Sequence, residues 1–165
     1  MYTGHIGIAL GAKGIQKHLS LWLLCLAALM PDLIDFSAQL VRSDTSLWTH
    51  TLPGMIASAA IFFAAGWIVT RSVILGVVTG IVACSHVLAD LLTSRLTLWP
   101  GGPISGLHWY LHPLLDFGLE AVLVLGGWLL YGRSLPKSRR FSTASFAMLI
   151  LLLALQGYMA TLGIS

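Results

Sequence analysis

Charge is what this sequence has least of. Only 9% of its 165 residues are Asp, Glu, Lys or Arg, against about a quarter in an ordinary soluble domain. That scarcity excludes a water-soluble globule, because too few polar groups exist to cover the surface. Cysteine is scarce too: Cys25 and Cys84 are the two in the chain, each inside an apolar run. Nothing in that spacing builds a disulfide framework or a Cys-based metal site, and the pair reads as small buried hydrophobes. No long linker, repeat or low-complexity segment interrupts residues 1–165, so a single domain is expected. The formal net charge is only +3 and most basic residues sit in short connections, which argues against nucleic-acid binding.

What the chain does have is hydrocarbon: 57% of it is hydrophobic, and its mean hydropathy is +0.88. Apolar runs of helical length occupy 52–70, 72–94, 113–131 and 143–163, each long enough to cross a bilayer core of about 30 Å. The start is less regular. Residues 4–16 (GHIGIALGAKGIQ) are apolar and Gly-rich, and residues 19–30 (LSLWLLCLAALM) are strongly apolar but only 12 long. Together they predict a short helical hairpin turning at Lys17-His18. The expected architecture is an all-α membrane bundle of about six helices, the first two short. A cleaved leader with Lys13 and Lys17 before its apolar core is a competing reading. It is opposed by the apolar segment preceding those lysines and by the poor cleavage site at Ala28-Leu29-Met30.

Counting Lys and Arg in alternate connections sets the orientation. Lys13, Lys17, Arg71, Arg133, Lys137, Arg139 and Arg140 share one face, while the other has Arg42 and Arg95. Seven against two places the first face in the cytoplasm. The chain is thus expected to be a multi-pass protein of the cytoplasmic (inner) membrane. Trp22, Trp67 and Trp128 then fall near cytoplasmic helix ends and Trp48, Trp99 and Trp109 near outer ones, as interfacial belts prefer.

The acids and histidines are strongly one-sided. Of twelve, eleven (His5, Asp32, Asp35, Asp44, His50, His86, Asp90, His108, His112, Asp116 and Glu120) lie toward the outer end, leaving only His18 opposite. His86 and Asp90 are four apart, as are Asp116 and Glu120, so each pair shares a helix face. His112 extends the second stripe back one turn, ahead of Pro113, a natural first helical residue. Asp32 and Asp35 follow Pro31, where a new helical turn is expected, and His50 precedes Pro53.

A carboxylate at membrane depth costs about 2.5–3.5 kcal/mol even on the lenient insertion scale. Asp32, Asp35, Asp90, Asp116 and Glu120 face only Arg42 and Arg95 as counter-charges. Protonation can neutralise some of the excess; one or two divalent cations do so more completely, with the histidines as nitrogen ligands. Mixed His and carboxylate sets suit zinc first, with manganese or iron as alternatives, over calcium. Against this, a single His or Asp in a membrane helix is often just a helix–helix hydrogen-bonding partner. His108 and Asp44 read as solvated loop residues. Glu120, the deepest carboxylate, reads as a ligand, a partner of a ligand or a proton carrier.

The ordered blocks TGHIGIALG, PDLID, THTLPG, SHVLADLLTS and HPLLDFGLE, from His5 to Glu120, resemble the YdjM-like family of inner-membrane proteins classed as metal-dependent hydrolases. That family is in turn similar, more distantly, to zinc-dependent phospholipase C and P1-type nucleases, which are all-helical phosphodiesterases. The resemblance implies a metal site drawn from His5, Asp32, Asp35, His50, His86, Asp90 and Asp116, with His112 and Glu120 close by. One departure is the arginine often found just before the third block, since here Arg42 stands eight residues before His50.

The leading expectation is a membrane-embedded metal-dependent hydrolase acting at the outer face on a phosphoester or lipid-linked substrate, with Glu120 or Asp35 as general base. The Gly/Pro-rich segment 95–112 is expected to cover the site. The alternatives are a proton or metal-ion transporter and a non-catalytic, metal-stabilised membrane scaffold. Membrane lipid is the expected partner, and the sequence carries no signal of oligomeric state.

Overall fold

The computed structural model describes residues 3–40 and 46–162, so Arg42 and Asp44 lie outside the described residues. Five helices are long and apolar enough to cross a membrane, which bears out the all-α membrane bundle. In chain order the elements are α1 (Thr3–Ile15), α2 (Leu21–Leu40), α3 (Ser46–Thr49), α4 (Leu52–Thr70), α5 (Val73–Thr93), α6 (Pro113–Gly132), α7 (Lys137–Arg140) and α8 (Thr143–Leu162). Between α5 and α6 lie a two-stranded hairpin, β1 (Leu96–Thr97) with β2 (Ile104–Ser105), and a 3-10 turn at Trp109–Leu111.

Local chemistry explains most boundaries. The Thr51 hydroxyl caps α4 by accepting from the Gly54 N–H, and Pro53 occupies the first turn, where its missing N–H is harmless. Arg71 ends α4 with a left-handed φ of 57°, and Ser72 at once caps α5. The resulting tight hairpin packs α4 against α5. The sequence pattern failed at α2. It is 20 residues long, not a 12-residue arm over 19–30, and Pro31 lies inside it. Proline there removes the N–H that would serve the Ala27 carbonyl, a defect membrane helices tolerate when neighbouring side chains engage the loosened backbone. The adjacent Ala28 carbonyl accepts from His86 Nδ1 at 2.7 Å.

α1 is the hub, touching α2, α5, α6 and α8. Glycine makes this possible. A Cβ on Gly7 would sit 2.5 Å from the Leu123 carbonyl oxygen, and one on Gly127 would overlap the Gly7 carbonyl itself. The α1 and α6 backbones thus meet directly, the close approach that small residues permit in membrane helices. One apolar cluster joins α1, α2, α4 and α5 through Ala9, Leu24, Ala27, Phe62, Val82 and Ala83. Another joins α1, α6 and α8 through Leu10, Val124, Trp128, Leu149 and Leu152. Trp128 therefore differs from the interfacial residue expected of it: it is buried, and its indole N–H donates to Ser145 in α8. Trp22, Trp48, Trp67 and Trp99 are exposed as a belt requires.

Alternation of the helices brings the Lys13–Lys17, Arg71 and Arg133–Arg140 connections to one end. The start of α1, the end of α2, α3 and the starts of α4 and α6 come to the other, beside the hairpin. The hairpin is pinned there by backbone bonds from Leu52 N–H to the Leu98 carbonyl and from Leu107 N–H to the Leu91 carbonyl.

Candidate metal centre

Four side chains from three segments converge at the second end. Asp32 comes from α2, His50 from the junction of α3 and α4, and His86 and Asp90 from successive turns of α5. One ligand atom from each lies within 4.8 Å of all the others. His50 Nε2 is 3.1 Å from His86 Nε2. Asp32 Oδ1 is 3.2 Å from His50 Nε2 and 3.4 Å from His86 Nε2. Asp90 Oδ2 is 3.5 Å and 3.2 Å from the same two nitrogens.

The hydrogen-bond pattern fixes what those nitrogens present. A carbonyl only accepts, so His86 Nδ1, bonded to Ala28, carries the hydrogen and Nε2 of the neutral ring offers a lone pair. His50 Nδ1 lies 3.0 Å from Asp35 Oδ2, and the Thr49 hydroxyl donates to Asp35 Oδ1 at 2.7 Å. The carboxylate again takes the Nδ1 hydrogen, leaving His50 Nε2 as a lone pair. Two imidazole lone pairs and two carboxylate oxygens thus meet with no donor of their own, and a proton or a cation must lie between them. The cluster can hold a metal ion. Asp35 fixing the ring through its distal N–H is the arrangement that orients metal-binding histidines. Asp35→Asn is expected to weaken metal binding about tenfold, read by competition with a chromogenic chelator; unchanged affinity would remove Asp35 from the centre.

His5 and Asp116 lie beside this group. The His5 ring is fully buried and stacks on His86 with centroids 4.0 Å apart. Its Nε2 forms an ion pair with Asp90 Oδ1 at 3.2 Å, and neither ring nitrogen makes a hydrogen bond. Asp116 is 1% exposed and neither of its carboxyl oxygens has a hydrogen-bond partner.

Glu120 and His112 stand apart from the four. Glu120 is fully buried and accepts from Gly4 N–H, from the Thr3 hydroxyl and from the Gln156 amide. His112 is exposed. It precedes Pro113, and its backbone (φ −123°, ψ 81°) is not helical, as expected of a residue before proline; the expected stripe therefore begins at Asp116. Arg95 is exposed, and the ion pairs found among the described residues join histidine to aspartate.

The family model of the YdjM inner membrane protein matches residues 2–162. The chain belongs to the YdjM inner membrane protein family. Among curated proteins and among solved structures nothing matches. Family membership agrees with the five helices long and apolar enough to cross a membrane. Sequence reasoning overlooked Thr3, Thr49 and Gln156. The signal for Gln156 was present, because it is the one amide in the apolar run of α8.

Proposed function

We propose that this YdjM-family chain is a metal-dependent hydrolase embedded in the inner membrane, acting at the extracytoplasmic face on a phosphoester of a lipid or lipid-linked molecule. One observation carries the proposal. Five of the six separations among the four ligand atoms fall between 3.1 and 3.5 Å. A tetrahedral zinc ion with ligands at about 2.0–2.1 Å requires edges of about 3.3–3.4 Å. The donor set (two neutral imidazoles and two carboxylates) suits zinc, with manganese or iron as alternatives. A divalent ion held there would lower the pKa of a bound water and polarise a phosphoryl oxygen.

The chain's own groups supply the rest. Asp32 and Asp35 line a cavity of about 400 Å³ whose other walls are Leu29, Leu33, Phe36 and Gln39. Carboxylates beside exposed aliphatic and aromatic side chains suit a substrate with a polar head and a hydrocarbon tail. Of the two carboxylates expected as general base, Asp35 lines this cavity and Glu120 does not, so we assign the proton-accepting role to Asp35. A second ion would have to draw on His5, Asp116 and a shared Asp90 carboxylate, as in two-metal phosphoesterases. The basic connections at the opposite end support an extracytoplasmic centre.

Ala9, Ala27, Ala28, Val82 and Ala83 form a buried apolar cluster between the same helices, which favours a site open to one face over a conduit. The test is turnover by the zinc-loaded protein in detergent, over phospholipids, lipid-linked phosphates and simple phosphodiesters. Hydrolysis abolished by chelation, restored by zinc and absent from Asp35→Ala is expected. No metal-dependent turnover by wild type on any of them, with metal bound, would leave a scaffold; zinc flux into proteoliposomes would indicate a transporter.

A further inference from the structure

The chain holds a second buried polar assembly that the chemistry above does not use. Glu120 of α6, fully buried, accepts from Gly4 N–H at 2.8 Å and from the Gln156 side-chain amide at 2.9 Å. Gln156 of α8 is 1% exposed. The Thr3 hydroxyl, with a single hydrogen, donates to Glu120 Oε2 or to Gln156 Oε1, each 3.1 Å away.

Gly4 lies in the first turn of α1, where backbone N–H groups have no partner inside the helix. A carboxylate placed there satisfies an orphan donor and lies at the positive end of the helix dipole. Glu120 thus caps α1 from another helix, and Gln156 holds Glu120 in place from a third. The next residue is His5. Its ring is held by stacking on His86 and by the 3.2 Å ion pair with Asp90, and the backbone of this turn sets whether the imidazole reaches both.

We propose that Gln156 is a positioning residue for the metal centre: through Glu120 and the first turn of α1, it sets His5 against His86 and Asp90. This rests on the metal-binding reading given above. Gln156 reaches no residue of the four-ligand group, so its influence has to pass through α1.

The experiment is titration of the metal-free, detergent-purified full chain with Co²⁺, followed by visible absorption, which reads ligand geometry as well as affinity. Gln156→Leu removes the amide and keeps the bulk. About tenfold weaker binding is expected, as for other partners that orient ligands, with a changed visible band. The exchange Glu120→Gln/Gln156→Glu keeps one carboxylate and one amide in the assembly, and should restore most of the affinity and the band. If Gln156→Leu titrates like wild type, or only its melting temperature falls, the inference is overturned. Should Gln156→Leu fail to fold, Thr3→Val removes one donor and is expected to weaken binding several-fold; wild-type behaviour in that variant overturns the inference equally. Absence of Co²⁺ binding by wild type defeats the metal reading itself, an outcome distinct from failure of Gln156 alone.

Discussion

Asp90→Ala is expected to lower divalent metal affinity by more than about 100-fold, beyond the 10–100-fold typical of residues that only orient ligands. The size follows from position. Asp90 sends Oδ2 to both His50 and His86 and Oδ1 to His5, so its removal takes one ligand and leaves three imidazoles facing one another. Among the described residues, the ion-pair partners left to those rings are Asp32 at the cluster and Asp35 behind His50. His86→Ala should behave alike for a different reason. It removes the nitrogen whose lone pair is fixed by the Ala28 carbonyl, and with it the surface on which His5 stacks. Metal content after gel filtration, by mass spectrometry, checks both. Full stoichiometry in either variant would show that the bound metal does not rest on that residue.

The largest effect on stability is expected at Gly127. A Cβ there overlaps the Gly7 carbonyl, and this clash is backbone against backbone, which no rotamer change relieves. Overpacking commonly costs roughly 1–3 kcal/mol and occasionally more, and Gly127→Ala should reach the upper part of that range. It would prise α1 from α6 and carry His5 away from Asp90, so metal affinity should fall with the melting temperature. Gly126→Ala is the internal control. A Cβ at Gly126 meets nothing within 4 Å, and alanine favours the helix over glycine by about 1 kcal/mol. Equal melting temperatures for the two variants would mean that α1 and α6 do not meet as described.

These two variants also mark what was legible beforehand. The apolar runs at 52–70, 72–94, 113–131 and 143–163 became α4, α5, α6 and α8 with ends shifted by a residue or so, because length and hydropathy alone decide a membrane span. The pairing of His86 with Asp90 was equally readable, since four residues return a helix to the same face. Continuity of α2 through Pro31 was not: proline breaks a helix in water, whereas the neighbouring α5 supplies His86 to the loosened turn. Burial of Trp128 depended on Ser145 of α8, a partner 17 residues away. The sequence also left Glu120 open between several roles. Only the packing of α1 on α6 and α8 reveals that its lone pairs are taken by Gly4, Thr3 and Gln156.

The most direct measurement is the zinc content of the wild-type chain, purified in detergent, loaded and freed of excess metal. At least one tightly held equivalent per chain is predicted, lost on replacement of Asp90. A wild-type chain that retains none, with its fold intact by circular dichroism, would contradict the account at its centre.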